Sequence, residues 1–214
     1  MTGSRPRILI ADDHTLVSEL FGGLLANDVD VVGVVSDGLA LIRTSAELKP
    51  DVAVVDVSMP ILNGLDAGQR VKEMFRTIKL VYLTMNPDPE VAAEAFRRGA
   101  SGYLLKTCDA SELLTAIRAA LCGESYLCSA FSKDVVNLLR WDDKERLLSE
   151  KQLTRRECEV LQLLAEGKKA KEAARILNIT RRTFYFHKYN LMEVLGARNI
   201  AELVRHAVRL RLVA

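Results

Sequence analysis

The chain has 214 residues, of which 49% are hydrophobic and 27% charged. This is an ordinary globular composition for one or two domains, and it excludes collagen-like, low-complexity and disordered proteins. No run approaches the roughly 18 uncharged apolar residues that a membrane span needs. The first ten residues also show no secretion signal, so we expect a cytoplasmic protein without a membrane partner.

The cysteines and histidines are scattered. No Cys-x-x-C pair occurs among the cysteines, and no histidine lies at metal-ligand spacing from another; the positions are Cys108, Cys122, Cys128 and Cys158, and His14, His187 and His206. Neither a disulfide framework nor a zinc cluster follows from this pattern. We expect the four cysteines to be buried, reduced thiols.

Charge is distributed unevenly along the chain. Residues 1–150 hold 16 basic and 22 acidic side chains, a net charge of −6, whereas residues 151–214 hold 14 basic and 6 acidic ones, a net charge of +8. A basic module attached to an acidic body is typical of a nucleic-acid-binding domain joined to a second domain.

Short apolar runs alternate with segments of helical period over the first 120 residues. The predicted strands are 7–11, 31–34, 52–56, 80–84 and 102–105, and the predicted helices are 14–26, 38–48, 65–76, 89–98 and 110–121. Strands so uniformly apolar are buried on both faces, which favours a parallel sheet wrapped by helices with right-handed crossovers.

Polar side chains stand at the ends of these strands. Asp12 and Asp13 end the first, Asp56 the third and Thr84 the fourth, and Lys106 follows the fifth. In an open parallel sheet the ligand lies outside the carboxyl ends of the strands. Three carboxylates held together favour a hard divalent cation, and oxygen ligands suit Mg²⁺. The alternative is that the aspartates only cap the helices that follow them.

The strand pattern stops after Gly123, and residues 123–150 are predicted to be a charged helical linker. Helices are predicted at 154–166, 169–177, 180–195 and 199–212. Thr154 and Glu157 have capping-box spacing. Two helices joined by a short turn at 178–180, the second opening with Arg181 and Arg182, indicate a helix-turn-helix.

The helix at 180–195 has two different faces. At 100° per residue, Phe184, Leu191 and Leu195 share the core side. The opposite side carries Arg182, Tyr185, Phe186, Tyr189 and Glu193. The three aromatic side chains on that side lack the bidentate donor and acceptor pairs that identify guanine or adenine.

Residues 5–122 resemble a bacterial response-regulator receiver domain. The resemblance rests on the Asp12-Asp13 pair, the segment Asp56-Val-Ser-Met-Pro-Ile-Leu-Asn-Gly64, Thr84, and the segment from Gly99 to Lys106. It implies a flavodoxin-like (βα)5 domain in which Asp56 receives a phosphoryl group from a partner histidine kinase. An acyl phosphate also adds negative charge that can draw a hydroxyl inward.

The same resemblance assigns roles to the other strand-end residues. Asp13, Asp56 and the Ser58 carbonyl would hold Mg²⁺, with Asp12 supporting it through water. Thr84 and Lys106 would bind the phosphoryl oxygens. Tyr103 would follow Thr84 as a switch residue, although an ordinary strand tyrosine is an equal alternative.

Residues 151–214 resemble the LuxR-type helix-turn-helix, an all-α domain of four helices. The matching residues include Leu153, Thr154, Glu157, Gly167, Thr183, His187 and Gly196. Together with the receiver this indicates the NarL/FixJ class of transcriptional regulators, which implies a homodimer on double-stranded DNA. The last helix would contribute to self-association, or its apolar residues would close the domain core. We expect DNA contacts from Arg181, Arg182, Thr183, Tyr185, Phe186, Lys188, Tyr189 and Arg198.

Three interpretations of the aromatic side chains remain open: contact with thymine methyl groups, packing against the receiver until activation, and binding of a partner protein with weak or non-specific DNA binding. The leading functional prediction is a phosphorylation-switched transcription regulator. We predict no enzymatic activity beyond phosphoryl transfer and dephosphorylation at Asp56. A magnesium-dependent phosphatase is disfavoured because Val57 and Ser58 replace an Asp-x-Asp motif after Asp56.

Overall fold

The computed structural model describes residues 5–14, 23, 27–131, 135 and 153–213. They form two compact units, of which the first holds all of the strands and the second holds the last four helices. No helix within the described ranges is long and apolar enough to cross a membrane.

The first unit is built on a parallel sheet. Its strands are β1 (Arg7–Ala11), β2 (Asp30–Val35), β3 (Val52–Asp56), β4 (Lys79–Thr84), β5 (Gly102–Leu105) and β6 (Tyr126–Leu127). They pair in the order β2-β1-β3-β4-β5-β6. Every residue of β3 is buried, as expected for a central strand covered on both faces. The predicted flavodoxin-like architecture is confirmed.

Four helices of this unit follow the predicted segments closely. They are α1 (Gly38–Leu48), α2 (Gly64–Met74), α3 (Pro89–Arg97) and α4 (Ala110–Leu121). Each begins after an Asp or Asn whose side chain accepts a backbone N–H of the first turn, at Asp37, Asn63, Asp88 and Asp109. Most of the predicted helix 14–26 lies outside the described residues.

The prediction that residues 123–150 form a helical linker is wrong at its start. Tyr126 and Leu127 add a sixth strand beside β5, with Gly102 opposite Tyr126. A 3₁₀ turn at Ser129–Phe131 follows and buries the Phe131 ring. A two-residue strand is too short to show a period in the sequence. Residues 132–134 and 136–150 of the predicted linker lie outside the described ranges.

The second unit consists of α5 (Arg155–Ala165), α6 (Ala170–Ile176), α7 (Arg181–Leu195) and α8 (Ile200–Arg209). The predicted capping box at Thr154 and Glu157 is present. All four helices contribute to a single apolar core, which includes Val160, Leu161, Ala173, Phe184, Leu191, Leu203 and Ala207. The predicted all-α domain of four helices is confirmed.

The four cysteines are free thiols. Cys128 is buried, and Cys108 and Cys158 are half-buried. The expectation of burial is wrong for Cys122, which is exposed because it ends α4 at the surface.

Candidate functional site

The carboxyl ends of β1, β3 and β5 bring three charged side chains together. The Nζ atom of Lys106 lies 2.9 Å from Oδ2 of Asp12 and 2.9 Å from Oδ2 of Asp56. All three side chains are at most 3% exposed. Strand register explains the arrangement. Asp56 pairs with Leu83 and Thr84 pairs with Leu105, so the carboxyl ends of neighbouring strands lie at the same edge of the sheet.

The environment of Asp56 disfavours its negative charge. Burial raises the pKa of the Asp56 carboxyl above its ordinary value, while the hydrogen bond and charge of Lys106 act in the opposite direction. The backbone N–H of Ser58 donates to Oδ1 of Asp56 over 3.1 Å. A buried carboxylate of this kind is stabilised when a cation binds beside it or when a covalent group removes its negative charge.

Four side chains form a candidate metal site: the ligand atoms of Asp12, Asp13, His14 and Asp56 lie within 4.8 Å of one another. Carboxylate oxygens dominate this set, so it fits a hard divalent cation such as Mg²⁺. His14 was not among the predicted site residues, although it directly follows the aspartate pair. Its Nδ1 atom lies 2.9 Å from Oδ1 of Asp13.

The alternative that the strand-end aspartates merely cap helices fails for Asp56. Helix α2, which follows β3, is capped by Asn63. Gly64 begins that helix, and a Cβ atom there would lie 1.9 Å from the carbonyl oxygen of Asp56. Only glycine therefore allows the loop after Asp56 to fold back so closely.

Thr84 and Tyr103 occupy neighbouring strands. The Thr84 side chain is buried, and its Oγ1 atom accepts the Asn86 N–H over 3.1 Å. Tyr103 is fully buried, and its ring packs edge-on against Phe131 at 5.2 Å between centroids. Phe131 was not predicted, because it reaches this position only through β6 and the 3₁₀ turn.

Helix α7 presents the predicted two faces. Thr180 caps it by accepting the Thr183 N–H over 3.1 Å. Phe184 and Leu191 are at most 1% exposed, so they face the core. The opposite side carries the aromatic face, which we define as Tyr185, Phe186 and Tyr189, exposed by 37%, 60% and 64%.

Basic side chains lie on helix α7 and just after it. Arg181, Arg182 and Arg198 are exposed, and Lys188 is half-buried. Within the part of the chain that the structure describes, neither Arg181, Arg182 nor Lys188 forms an ion pair with a carboxylate. The Thr183 hydroxyl is already engaged with the Thr180 hydroxyl at 2.8 Å. This surface of the second unit is thus both basic and apolar.

Some apolar residues of helix α8 are buried in the core, and others are exposed. Leu203 and Ala207 are fully buried in the core of the unit. Ile200 and Val208 are 48% and 50% exposed. Core closure therefore accounts for the first pair, whereas the second pair is exposed enough to be available for self-association.

Comparison with known proteins covers both units. Residues 8–118 match the response regulator receiver domain, and residues 151–207 match the bacterial regulatory proteins of the luxR family. The oxygen regulatory protein NreC of Staphylococcus aureus is 35% identical over 97% of this chain and 99% of its own length.

Solved structures of similar proteins agree. The RcsB response regulator of Salmonella typhimurium aligns with a TM-score of 0.64 and 28% identity, over 97% of this chain and 98% of that one. A structure of two RcsB dimers bound to two parallel DNAs aligns with a TM-score of 0.58 and 29% identity, over 99% of this chain and all of that one. Since its two halves match these families in the order and over the length of such relatives, this chain belongs to the two-component response regulators with a luxR-type DNA-binding domain.

Proposed function

We propose that this protein is a transcription regulator that is switched by Mg²⁺-dependent phosphorylation of Asp56 by a sensor histidine kinase in the cytoplasm. The observation that carries the proposal is the buried Asp12–Lys106–Asp56 cluster at the carboxyl ends of three parallel strands. A nucleophilic carboxylate, a fixed ammonium group and a set of hard oxygen donors are the groups that phosphoryl transfer needs.

In the proposed transfer, a carboxylate oxygen of Asp56 forms a bond to phosphorus as the bond from phosphorus to the kinase imidazole breaks. The electron pair of the broken bond stays on the imidazole nitrogen. Lys106, held between two carboxylates, binds a phosphoryl oxygen. Asp13, Asp56 and the Ser58 carbonyl would hold Mg²⁺, with Asp12 acting through water; the cation supplies neutralisation of the phosphoryl charge.

The switch that follows involves Thr84 and Tyr103. The Thr84 hydroxyl, which now bonds with Asn86, turns to the phosphoryl group because three new acceptor oxygens lie nearby. The Tyr103 ring, which packs against Phe131, then moves in response to Thr84. The state of Asp56 is thereby transmitted to the β5 and β6 side of the unit.

The output is binding of a homodimer to double-stranded DNA. Helix α7 enters the major groove, as the second helix of a helix-turn-helix does. Arg181, Arg182, Lys188 and Arg198 contact phosphates. The RcsB dimers on DNA support this arrangement as the assembly of a relative.

The proposal is tested with acetyl phosphate and Mg²⁺ as phosphoryl donor and cofactor. We expect the full chain to gain one phosphoryl group by intact mass spectrometry and to bind its selected duplex more tightly. Asp56→Asn should lose both effects, whereas Asp30→Asn, at an exposed aspartate of β2, should keep them. Equal phosphorylation of Asp56→Asn would place the acceptor elsewhere. A phosphoryl group that leaves DNA affinity unchanged would contradict the switch.

A further inference from the structure

We infer that the aromatic face of α7 recognises the C5-methyl group of thymine, so that this regulator selects its duplex by apolar contact in the major groove. The inference rests on the proposed DNA binding and deepens it by naming the chemical group that is read. Tyr185, Phe186 and Tyr189 then determine which bases are selected, and the nearby basic residues bind the phosphates.

The first support is the placement of the three rings. Tyr185, Phe186 and Tyr189 follow Arg182 at i+3, i+4 and i+7, so the four side chains form one stripe along the helix. Phe184 and Leu191, on the other side, anchor the helix in the core. The stripe is therefore presented outward by a helix whose rotation is fixed.

The second support is the shape of the stripe. The rings of Tyr185 and Tyr189 are stacked, with centroids 6.4 Å apart and an angle of 28° between their planes. Phe186 packs edge-on against His187 at 5.7 Å. These contacts hold the rings in place before any ligand arrives, which reduces the side-chain entropy lost on binding.

The third support is the chemistry of the surface. Phe186 has no hydrogen-bonding group, and each tyrosine has a single hydroxyl, so these residues cannot form the bidentate pairs that identify guanine or adenine. The apolar group that bases present in the major groove is the thymine methyl. An apolar side chain makes favourable contact with this methyl group. Against any other base edge it would displace water from polar atoms without replacing their hydrogen bonds.

Charge favours a nucleic acid over a protein as the occupant. Residues 151–214 have a net charge of +8, and Arg181, Arg182 and Lys188, which lie on or beside the stripe, are not paired with any carboxylate of the described residues. Cations at these positions complement the negative charge of a phosphate backbone. A protein partner would have to supply matching acidic groups around an apolar centre.

The test begins with selection of duplexes from a random pool by the full chain. Single thymines in the enriched duplex are then replaced by uracil, which lacks only the methyl group. At contacted positions we expect the affinity to fall about tenfold, at the low end of the effect of one methyl group in an apolar pocket. Uracil outside the enriched motif should have no effect.

Variants then assign the effect to the rings. Phe186→Ala and Tyr189→Ala should bind thymine and uracil duplexes with nearly equal affinity, and circular dichroism checks that each variant is folded. Glu172→Ala, at an exposed residue of α6 that lies outside the aromatic face, should keep the wild-type thymine-to-uracil ratio.

The outcomes separate this inference from the proposed function. Tight binding to an enriched duplex that tolerates uracil at every position would overturn the inference and leave DNA binding intact. Failure to enrich any duplex, with or without acetyl phosphate and Mg²⁺, would overturn both, and the aromatic face would then belong to a protein interface.

Discussion

At the scale of single residues, Lys106 carries the positive charge of the receiver site. Its ammonium group lies 2.9 Å from Asp12 and from Asp56, and all three side chains are buried. Removing one partner from a buried ion pair leaves uncompensated charge at a cost of about 3–5 kcal/mol. We therefore expect Lys106→Met to lower the free energy of unfolding by about this amount in buffer without divalent ions.

Mg²⁺ should restore part of that loss, because a bound cation stabilises the folded state and takes over the neutralisation that Lys106 provided. Thermal unfolding with and without Mg²⁺ measures this directly. Lys72→Met is the matched control, since Lys72 donates to the carbonyls of Arg76 and Ile78 rather than to carboxylates. If Mg²⁺ raised the Tm of both variants equally, Lys106 would have no special part in balancing the carboxylates.

Burial differs among the cysteines, and we expect their reactivity to differ with it. Burial, assisted by the nearby Glu112 carboxylate, raises the pKa of the Cys108 thiol to about 12. The thiolate is the reactive form, and a raised pKa leaves less of it at any pH below 12. At pH 8 we expect Cys108 to be alkylated at least ~100-fold more slowly than exposed Cys122.

Peptide mass spectrometry after brief treatment with iodoacetamide gives both rates in one sample. In urea the two cysteines should react at similar rates, because unfolding removes the burial that sets them apart. Comparable rates in the folded protein would show that the Cys108 side chain is open to solvent.

Residue types at strand ends were enough to predict that Asp12, Asp56 and Lys106 lie close together. Asp12, Asp56, Thr84 and Lys106 could be predicted because parallel strands in adjacent positions bring their carboxyl ends to one edge. Phe131 could not, since its contact with Tyr103 depends on a chain reversal that no local pattern encodes.

At the scale of elements, a helix or strand can be predicted when it is long enough to show a repeating apolar pattern. Helices of ten or more residues, such as α2 and α7, show both an apolar stripe and a capping residue, so sequence locates them within about two residues. Strand β6 has two residues and no period, and its existence depends on pairing with β5. Tertiary contact alone creates such an element.

Helix α8 illustrates how one element serves two purposes. Leu203 and Ala207 hold it to the core, while Ile200 and Val208 remain about half exposed. We expect Val208→Ser to weaken the phosphorylated dimer by about 2 kcal/mol, since each protomer loses about 1 kcal/mol of apolar burial and a two-fold interface contains the residue twice.

Analytical ultracentrifugation over a range of concentrations measures the dimerisation constant. Arg209→Ser serves as control, because Arg209 is also exposed on α8 but lies about 100° around the helix from Val208. An unchanged constant for Val208→Ser would assign dimerisation to another surface of the chain.

At the scale of the whole molecule, the two halves of the chain carry opposite net charges. The first 150 residues are acidic and hold the candidate metal site, whereas the last 64 are basic and carry the exposed α7 stripe. The acidic half therefore favours a cation as its ligand, and the basic half favours a polyanion. This division was visible in the sequence, because net charge depends on composition and not on the fold.

The basic half fixes how DNA affinity should respond to salt. The proposed phosphate contacts, from Arg181, Arg182, Lys188 and Arg198, would number four in each protomer and eight in a dimer. With a slope of about −0.9 per contact, the logarithm of the affinity should fall against the logarithm of salt concentration with a slope of about −7. Titration of the selected duplex at several salt concentrations measures it.

Loss of one basic side chain should change the salt dependence by a defined amount. Arg181→Ala removes two contacts from a dimer, so the slope should become less steep by about 2 on every sequence alike. Lys168→Ala should leave it unchanged, because Lys168 lies 3.6 Å from Glu172 and is already paired. Were the slope of the wild-type protein close to zero, the phosphate contacts would be absent, and the charge of the second unit would serve some partner other than DNA.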